Sequence, residues 1–361
     1  MKKVLYLSNI EVPYRVRFFN ALAKYCDLTV LYERKVSSNR DDTWAKSEKQ
    51  LCKNKYLEGI PIGRESSFSF RILKDIFSDY DEIIVGCYNT PVQLMAIFAM
   101  WFCRKPYTIN IDGEPFLKAP TFKNWVKRFV LRGASKYVIA GEKGAKSLKV
   151  VSGKSPVTVY NFSSLSKKEI ENHSQIACQN RNETVLVVGQ YFDYKGMDVA
   201  LEAARQDPMH HYKFVGMGKR TELFLQEFDG KIPDNVEIVP FLQKPELEKE
   251  YQKCAMLVLP SRQECWGLVI NEAASFGMPI VSTWGSGAAV DFLADDYPRF
   301  LAKPGDPDDL LRCINLCRTF EDLDGYSKFL LEQSKDYTIE ENVRKHLQLL
   351  GINSDVEEIK A

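Results

Sequence analysis

No long hydrophobic run occurs in this sequence. The longest apolar segment, Val92 to Cys103, is broken by Gln93 and is too short to span a bilayer. A core helix is its default reading. Cysteines at metal or redox spacing are also missing. Nine are scattered without a CxxC pair, and the closest two, Cys313 and Cys317, stand one helical turn apart. Histidine is scarce: His173, His210, His211 and His346 are all there are, none lies within residues 1–160, and none adjoins a cysteine cluster. A zinc site is therefore not expected. There is no Walker A pattern. Gly216-Met217-Gly218 lacks the third glycine of a dinucleotide fingerprint, because Thr221 stands there. Repeats and low-complexity tracts are absent, which excludes solenoids. No leader is visible, since Met1-Lys2-Lys3 runs straight into the strand-like Val4–Ser8. Unpaired cysteines fit a reducing cytosol, so a cytoplasmic location is expected.

What is present is a long alternation of short apolar runs and amphipathic segments. In the first half, strands are expected at Val4–Ser8, Leu28–Tyr32, Glu82–Val85, Tyr107–Ile111, Tyr137–Ala140 and Val157–Val159. Helical periodicity falls between them, at Arg15–Tyr25, Thr90–Phe102, Phe122–Arg132 and Gly144–Lys149. Residues 161–182 are rich in Ser, Asn, Lys and Gln and read as a linker. The alternation then restarts at Val185–Val188 and continues to helices at Asp308–Cys317, Asp324–Tyr337 and Glu340–Leu350. Such a pattern implies parallel sheets covered on both faces. A chain of 361 residues suits two such domains. Net charge is only +1, but residues 1–160 hold 27 Lys and Arg against 15 Asp and Glu, whereas residues 161–361 hold 22 against 33. The first half is expected to face an anionic partner, or each half simply carries its own solvated surface.

The most informative stretch is Ala255 to Thr283. An apolar run ends at Pro260-Ser261, a polar loop carries Glu264, and a helix is expected from about Gly267 to Phe276 with Glu272 on it. Loops at the carboxyl ends of parallel strands, leading into helix N-termini, are where open α/β sheets bind ligands. Such an N-terminus offers unpaired N–H groups to an anion. Carboxylates beside it accept hydrogen bonds from sugar or ribose hydroxyls.

This stretch resembles the nucleotide-sugar signature of GT-B glycosyltransferases, particularly glycosyltransferase family 4. The resemblance rests on Pro260-Ser261, Glu264, Trp266-Gly267-Leu268, Glu272-Ala273 and Gly277-Met278-Pro279. It implies an α/β GT-B fold: two Rossmann-like parallel-sheet domains facing across a cleft, the last helix crossing back to the first. The expected domains are 1–162 for the acceptor, 183–337 for the nucleotide sugar, and 338–361 as the returning helix. A second family feature is the loop in Val185–Asp198, where Lys195-Gly196 matches and Gln190 stands in place of the usual arginine. Lys195 and Gln190 would bind the donor diphosphate, with Gly216 and Pro240 lining the nucleotide pocket. Glu272 would accept from the ribose and Glu264 from the sugar, beside Trp266, Gly267 and Leu268. The expected donor is a UDP-sugar, with configuration retained and no metal or other cofactor required. Gly285-Ser286-Gly287 and Asp291 are either a structural turn or a ligand contact.

In the first half, Asp112 is the catalytic candidate beside Glu264 and Lys195, and Glu114 is second, after the strand ending at Ile111. A turn-forming Asp before Gly113 reads equally simply. Tyr14 and Arg15 follow the first strand, where the family often has a glycine-rich loop that this sequence lacks. They are candidates for acceptor or phosphate binding. Finally, Lys123, Trp125, Lys127 and Arg128 lie on a basic amphipathic helix. That composition suits an anionic membrane surface or an ordinary helix packed on the sheet. No nucleic-acid module is visible. The expected activity is sugar transfer to a lipid-linked saccharide of bacterial surface polysaccharide synthesis, from the inner face of the cytoplasmic membrane. The alternatives are a nucleotide-sugar 2-epimerase and a non-catalytic nucleotide-binding module.

Overall fold

A computed structural model of the chain describes residues 1–35, 49–57, 59–62, 66–113, 122–153, 157–176 and 181–353. The chain divides into two compact units, Met1–Ser164 with Ile339–Ala361, and Leu165–Thr338. In the first unit, β1 (Lys3–Ile10), β2 (Asp27–Arg34) and β3 (Lys53–Tyr56) are followed by a small antiparallel hairpin, β4 (Ile60–Ile62) and β5 (Ser66–Phe68). Then come β6 (Glu82–Val85), β7 (Thr108–Ile111), β8 (Lys136–Ala140) and β9 (Val157–Tyr160). Seven of these form one parallel sheet in the order β3-β2-β1-β6-β7-β8-β9. Its central strands are continuous apolar runs because helices cover both faces. Val4 to Leu7 are buried without a break.

The last helix, Ile339–Leu350, belongs to this first unit. Its Ile339, Val343, Leu347 and Leu350, at helical spacing, fill a cluster with Val4, Tyr6 and the helix Pro13–Leu22. The expected return of the terminal helix has this apolar stripe as its physical cause.

The second unit holds β10 (Val185–Val188), β11 (Tyr212–Val215), β12 (Val236–Val239), β13 (Met256–Leu259), β14 (Ile280–Thr283) and β15 (Leu301–Ala302). They form a parallel sheet ordered β12-β11-β10-β13-β14-β15. Both sheets are thus doubly wound, and strand order reverses between β1 and β6 and between β10 and β13.

Two readings of the sequence need correction. The stretch 161–182 is not a plain linker. Lys167–Gln175 form a helix, closed by a capping box in which Ser166 accepts from Glu169 N–H and the Glu169 carboxylate accepts in return. Its Ile170 and His173 are buried in the second unit. Polar composition hid it because only one short face is apolar. Nor is the helix Pro91–Phe102 buried all round. Val92, Ala96, Ile97 and Met100 face the core, while Trp101 and Phe102 are exposed.

Candidate functional site

The carboxyl ends of β10 and β13 flank the order reversal of the second sheet, and the sequence brings their two loops into contact there. After β10, Asp193–Lys195 make a single tight helical turn closed by Gly196 in the left-handed conformation, φ +69°. A side chain at Gly196 would place its Cβ 2.1 Å from the Pro260 carbonyl oxygen, so only glycine allows this approach. The Gln263 N–H donates to the Tyr194 carbonyl at 3.1 Å. Arg262 forks onto Asp198 at 2.7 and 2.6 Å and also donates to the Asp193 carbonyl. Bidentate geometry of this kind fixes orientation as well as distance. The clamp brings Lys195 Nζ onto the Glu264 carboxylate.

Glu264 is held from its other side by the turn after β14. Its N–H donates to the Gly285 carbonyl at 2.9 Å, and its carbonyl accepts from Gly287 N–H at 3.3 Å. Any Cβ on Gly285 or Gly287 would lie 2.4 Å from the carbonyl oxygens of Arg262 and Cys265. Of the two readings of Gly285-Ser286-Gly287, the geometry supports the structural one: the turn is a rail for the Glu264 loop. The helix Leu268–Ser275 then begins behind Gly267, whose φ of +104° suits glycine alone. Lysine, carboxylate and a helix start are thereby gathered at one edge of the sheet, an arrangement able to hold an anion beside a hydroxyl-bearing group. Trp266 is buried, and its indole N–H donates to Asn271 Oδ1 at 2.9 Å. The ring anchors the loop.

Glu272 stands on the second turn of that helix, half-buried, and accepts a 2.9 Å hydrogen bond from the Tyr251 hydroxyl. Burial, then the neighbouring Glu272 charge, push the Tyr251 hydroxyl well above its ordinary pKa, so it remains a donor. A small crevice here is lined by His173, Lys244, Tyr251, Glu272 and Phe276. Gln190 follows Gly189 at the end of β10 and is half-buried. Nearby Gly216, with φ +100°, closes β11, and the Pro240 carbonyl accepts from Gly218 N–H at 2.6 Å. Arg220 was not singled out in the sequence. It donates to the Tyr191 carbonyl at 3.1 Å and lies 3.8 Å over the Phe192 ring, bringing a second cation to the loop that carries Gln190. Its only advance signal was a basic residue just after a strand–glycine turn.

The first unit builds a different constellation. Asp112, just past β7, is paired with the Arg15 guanidinium. It also accepts from the Tyr160 hydroxyl at 2.7 Å and the Asn110 amide at 2.9 Å. Arg15 is itself buried and donates to the Tyr6 hydroxyl at 2.7 Å. Burial is the largest single influence and works against its charge, but the Asp112 carboxylate together with Tyr6, Tyr160 and Tyr14 outweighs it, so the guanidinium is held charged more firmly than usual. Tyr14 is half-buried against Phe162. Residues 1–160 have no histidine, yet the fold supplies one: His346 on the last helix lies 3.0 Å from Asn110 Oδ1. Glu114 lies outside the described residues, as does the Lys123 side chain. Trp125 and Arg128 are exposed and Lys127 half-buried on the helix Phe122–Gly133. No helix among the described residues is long and apolar enough to cross a membrane.

Comparison with known proteins bears on this geometry directly. Residues 168–319 match the model of glycosyl transferases group 1. The second unit carries a domain of this family. That group 1 domain contains both the Lys195–Glu264 pair and Glu272. An uncharacterized glycosyltransferase of Methanocaldococcus jannaschii is 28% identical over 156 residues, which is 42% of either chain. The matched stretch thus spans about two fifths of that relative's length. An uncharacterized 41.2 kDa protein in the cps region of Klebsiella pneumoniae is 24% identical over 256 residues, 66% of this chain and 71% of that one. Among solved structures, HepE of Anabaena in complex with UDP and glucose superposes with a TM-score of 0.71 at 17% identity, covering 97% of this chain and 99% of that one. The fold around the group 1 domain is therefore GT-B.

Proposed function

We propose that the protein is a retaining glycosyltransferase that moves a sugar from a UDP-sugar to an acceptor. The observation that carries this reading is the Lys195–Glu264 pair at the order reversal of the second sheet, beside the helix start at Gly267-Leu268. Its position in a group 1 domain supports it, as do the complexes of the similar HepE with UDP and glucose. In this reading Lys195 and the N–H groups of Gly267-Leu268 stabilise the charge that builds on the departing diphosphate, with Gln190 beside them. Such preorganised electrostatics contribute much of an enzyme's rate. Glu264 holds hydroxyls of the donor sugar and Glu272 the ribose. No metal ion is needed, because lysine and helix-terminal N–H groups neutralise the same charge. Asp112, on the first unit, accepts a hydrogen bond from a hydroxyl of the acceptor. The attacking acceptor hydroxyl forms its bond to the anomeric carbon as the bond to the diphosphate breaks, and its proton passes to the departing diphosphate oxygen. Retention follows from attack on the same face, so the paired-carboxylate scheme of glycoside hydrolases is not invoked.

The acceptor in this reading is a lipid-linked saccharide of a surface polysaccharide, met at an anionic membrane. The basic first half and the similar Klebsiella protein in the cps region support it. Incubation of the protein with a panel of UDP-sugars tests the activity. Slow release of UDP together with free sugar, by transfer to water, is the expected result. Isomerised UDP-sugar would establish an epimerase instead, and tight UDP binding without turnover on any candidate acceptor would establish a binding module.

A further inference from the structure

The first unit carries a surface that the site does not use. Phe98, Trp101 and Phe102 project from the outer side of the helix Pro91–Phe102, and Trp125 and Phe129 from the helix Phe122–Gly133 beside it. Phe102 is 83% exposed, Trp125 62% and Trp101 52%. Four of these rings are contiguous. Phe129 lies 5.3 Å from Trp101 and 6.1 Å from both Phe98 and Trp125, centroid to centroid. Single exposed apolar residues are ordinary, but four joined large rings, with Phe102 next to Trp101 in the chain, mark a surface that something covers.

The charge around these rings indicates what covers them. Neither helix contains a carboxylate. Arg104 and Lys105 follow the first helix directly, and Lys127, Arg128 and Arg132 lie on the second. We propose that this two-helix face is a bilayer-docking surface, with Trp101, Phe102 and Trp125 entering the headgroup region of an anionic membrane. Aromatic rings with an apolar body and one polar edge settle at that depth. Basic side chains at the rim reach anionic headgroups while their stems lie on the apolar surface. A second copy of the chain would bring like charge against like, which disfavours self-association as the cover. The surface differs from the basic helix seen in the sequence in its source of affinity. Half of it belongs to a helix that reads as core, and the rings, not charge alone, carry the binding. Its purpose rests on the reading that the acceptor is membrane-linked, but binding is measured without donor or acceptor, so the two ideas succeed or fail separately.

The test uses the full chain with vesicles of phosphatidylcholine alone or with phosphatidylglycerol, read by sedimentation. Tryptophan quenching by lipids brominated near the headgroup is the second measurement. The wild type is expected to bind anionic vesicles and to be quenched. Trp101→Ser with Phe102→Ser should weaken partition at least tenfold while the melting temperature and far-ultraviolet circular dichroism stay those of wild type, which shows the variant folded. Trp101→Phe with Trp125→Phe should bind within twofold of wild type and lose most of the quenching. No vesicle binding by the wild type overturns the proposal. So does binding without quenching, or binding that is indifferent to the Ser variant. A dimer broken by the Ser variant, or single-stranded RNA bound in preference to vesicles, would assign the face to those partners and overturn it as well.

Discussion

Each unit sets a cation against a carboxylate at the carboxyl edge of a parallel sheet, but the two pairs are turned opposite ways. In the first unit the cation lies deeper: the Arg15 side chain is 9% exposed and that of Asp112 26%. In the second the carboxylate lies deeper: Lys195 is 21% exposed and Glu264 14%. The first pair therefore presents a carboxylate backed by a buried guanidinium, Tyr160 and Asn110. The second presents an ammonium backed by a carboxylate and a rail of glycines. A solvent-facing carboxylate suits a hydroxyl, and a solvent-facing lysine suits a phosphate. The difference is also one of rigidity. Arg15 makes several fixed contacts in the core, whereas lysine is a point charge on a flexible stem.

The largest expected effect separates the pairs by function. Lys195→Ala should lower the rate of UDP release about 100- to 1000-fold, as expected for loss of one transition-state donor. It should change stability by less than about 1 kcal/mol, because the pair is partly open to water. Normal turnover in this variant would remove the lysine from the mechanism. Asp112→Ala should do the reverse in stability, costing about 3 kcal/mol in denaturant unfolding because a buried guanidinium loses its partner. A change below about 1 kcal/mol would show that Tyr6 alone satisfies Arg15. Glu272→Ala should weaken UDP binding by roughly 2 kcal/mol, or about 30-fold, the size of a hydrogen bond to a charged group. Unchanged affinity by calorimetry would end its ribose assignment.

The smallest difference concerns acid. Burial pushes His173 in the second unit and His346 in the first down to about 4. A histidine whose folded pKa lies below its unfolded value of about 6.5 is neutral in the fold and charges on unfolding. Its contribution is complete above pH 6.5 and is lost as pH falls toward 4. Each should cost the fold about 3 kcal/mol across that window. His173→Phe keeps a ring against Phe276, 4.0 Å away in the native stack. It should flatten the acid limb of the second unit; an unchanged limb would assign the loss to other groups.

The parts legible in the sequence were those with local causes. Val185–Val188 and Met256–Leu259 read as buried strands because four apolar residues in a row have no other place in a parallel sheet. Glu264, Gly267 and Glu272 stand out as candidates because a strand end, a loop and a helix start follow one another within a short stretch of chain. The helix Lys167–Gln175 was missed because its cap, and not its composition, closes it. The aromatic face was missed because periodicity alone does not tell which side of Pro91–Phe102 meets the core.

By itself, then, the order of residues determined two doubly wound sheets, the loops at their carboxyl edges and the residue types placed on them. Tertiary structure decided the partners: Arg262 on Asp198, Gly196 against Pro260, Arg15 under Asp112, and His346 beside Asn110. These join residues up to 236 positions apart. Their distances are set by how sheets and helices pack, and no local pattern along the chain encodes which charge lies deep and which faces water.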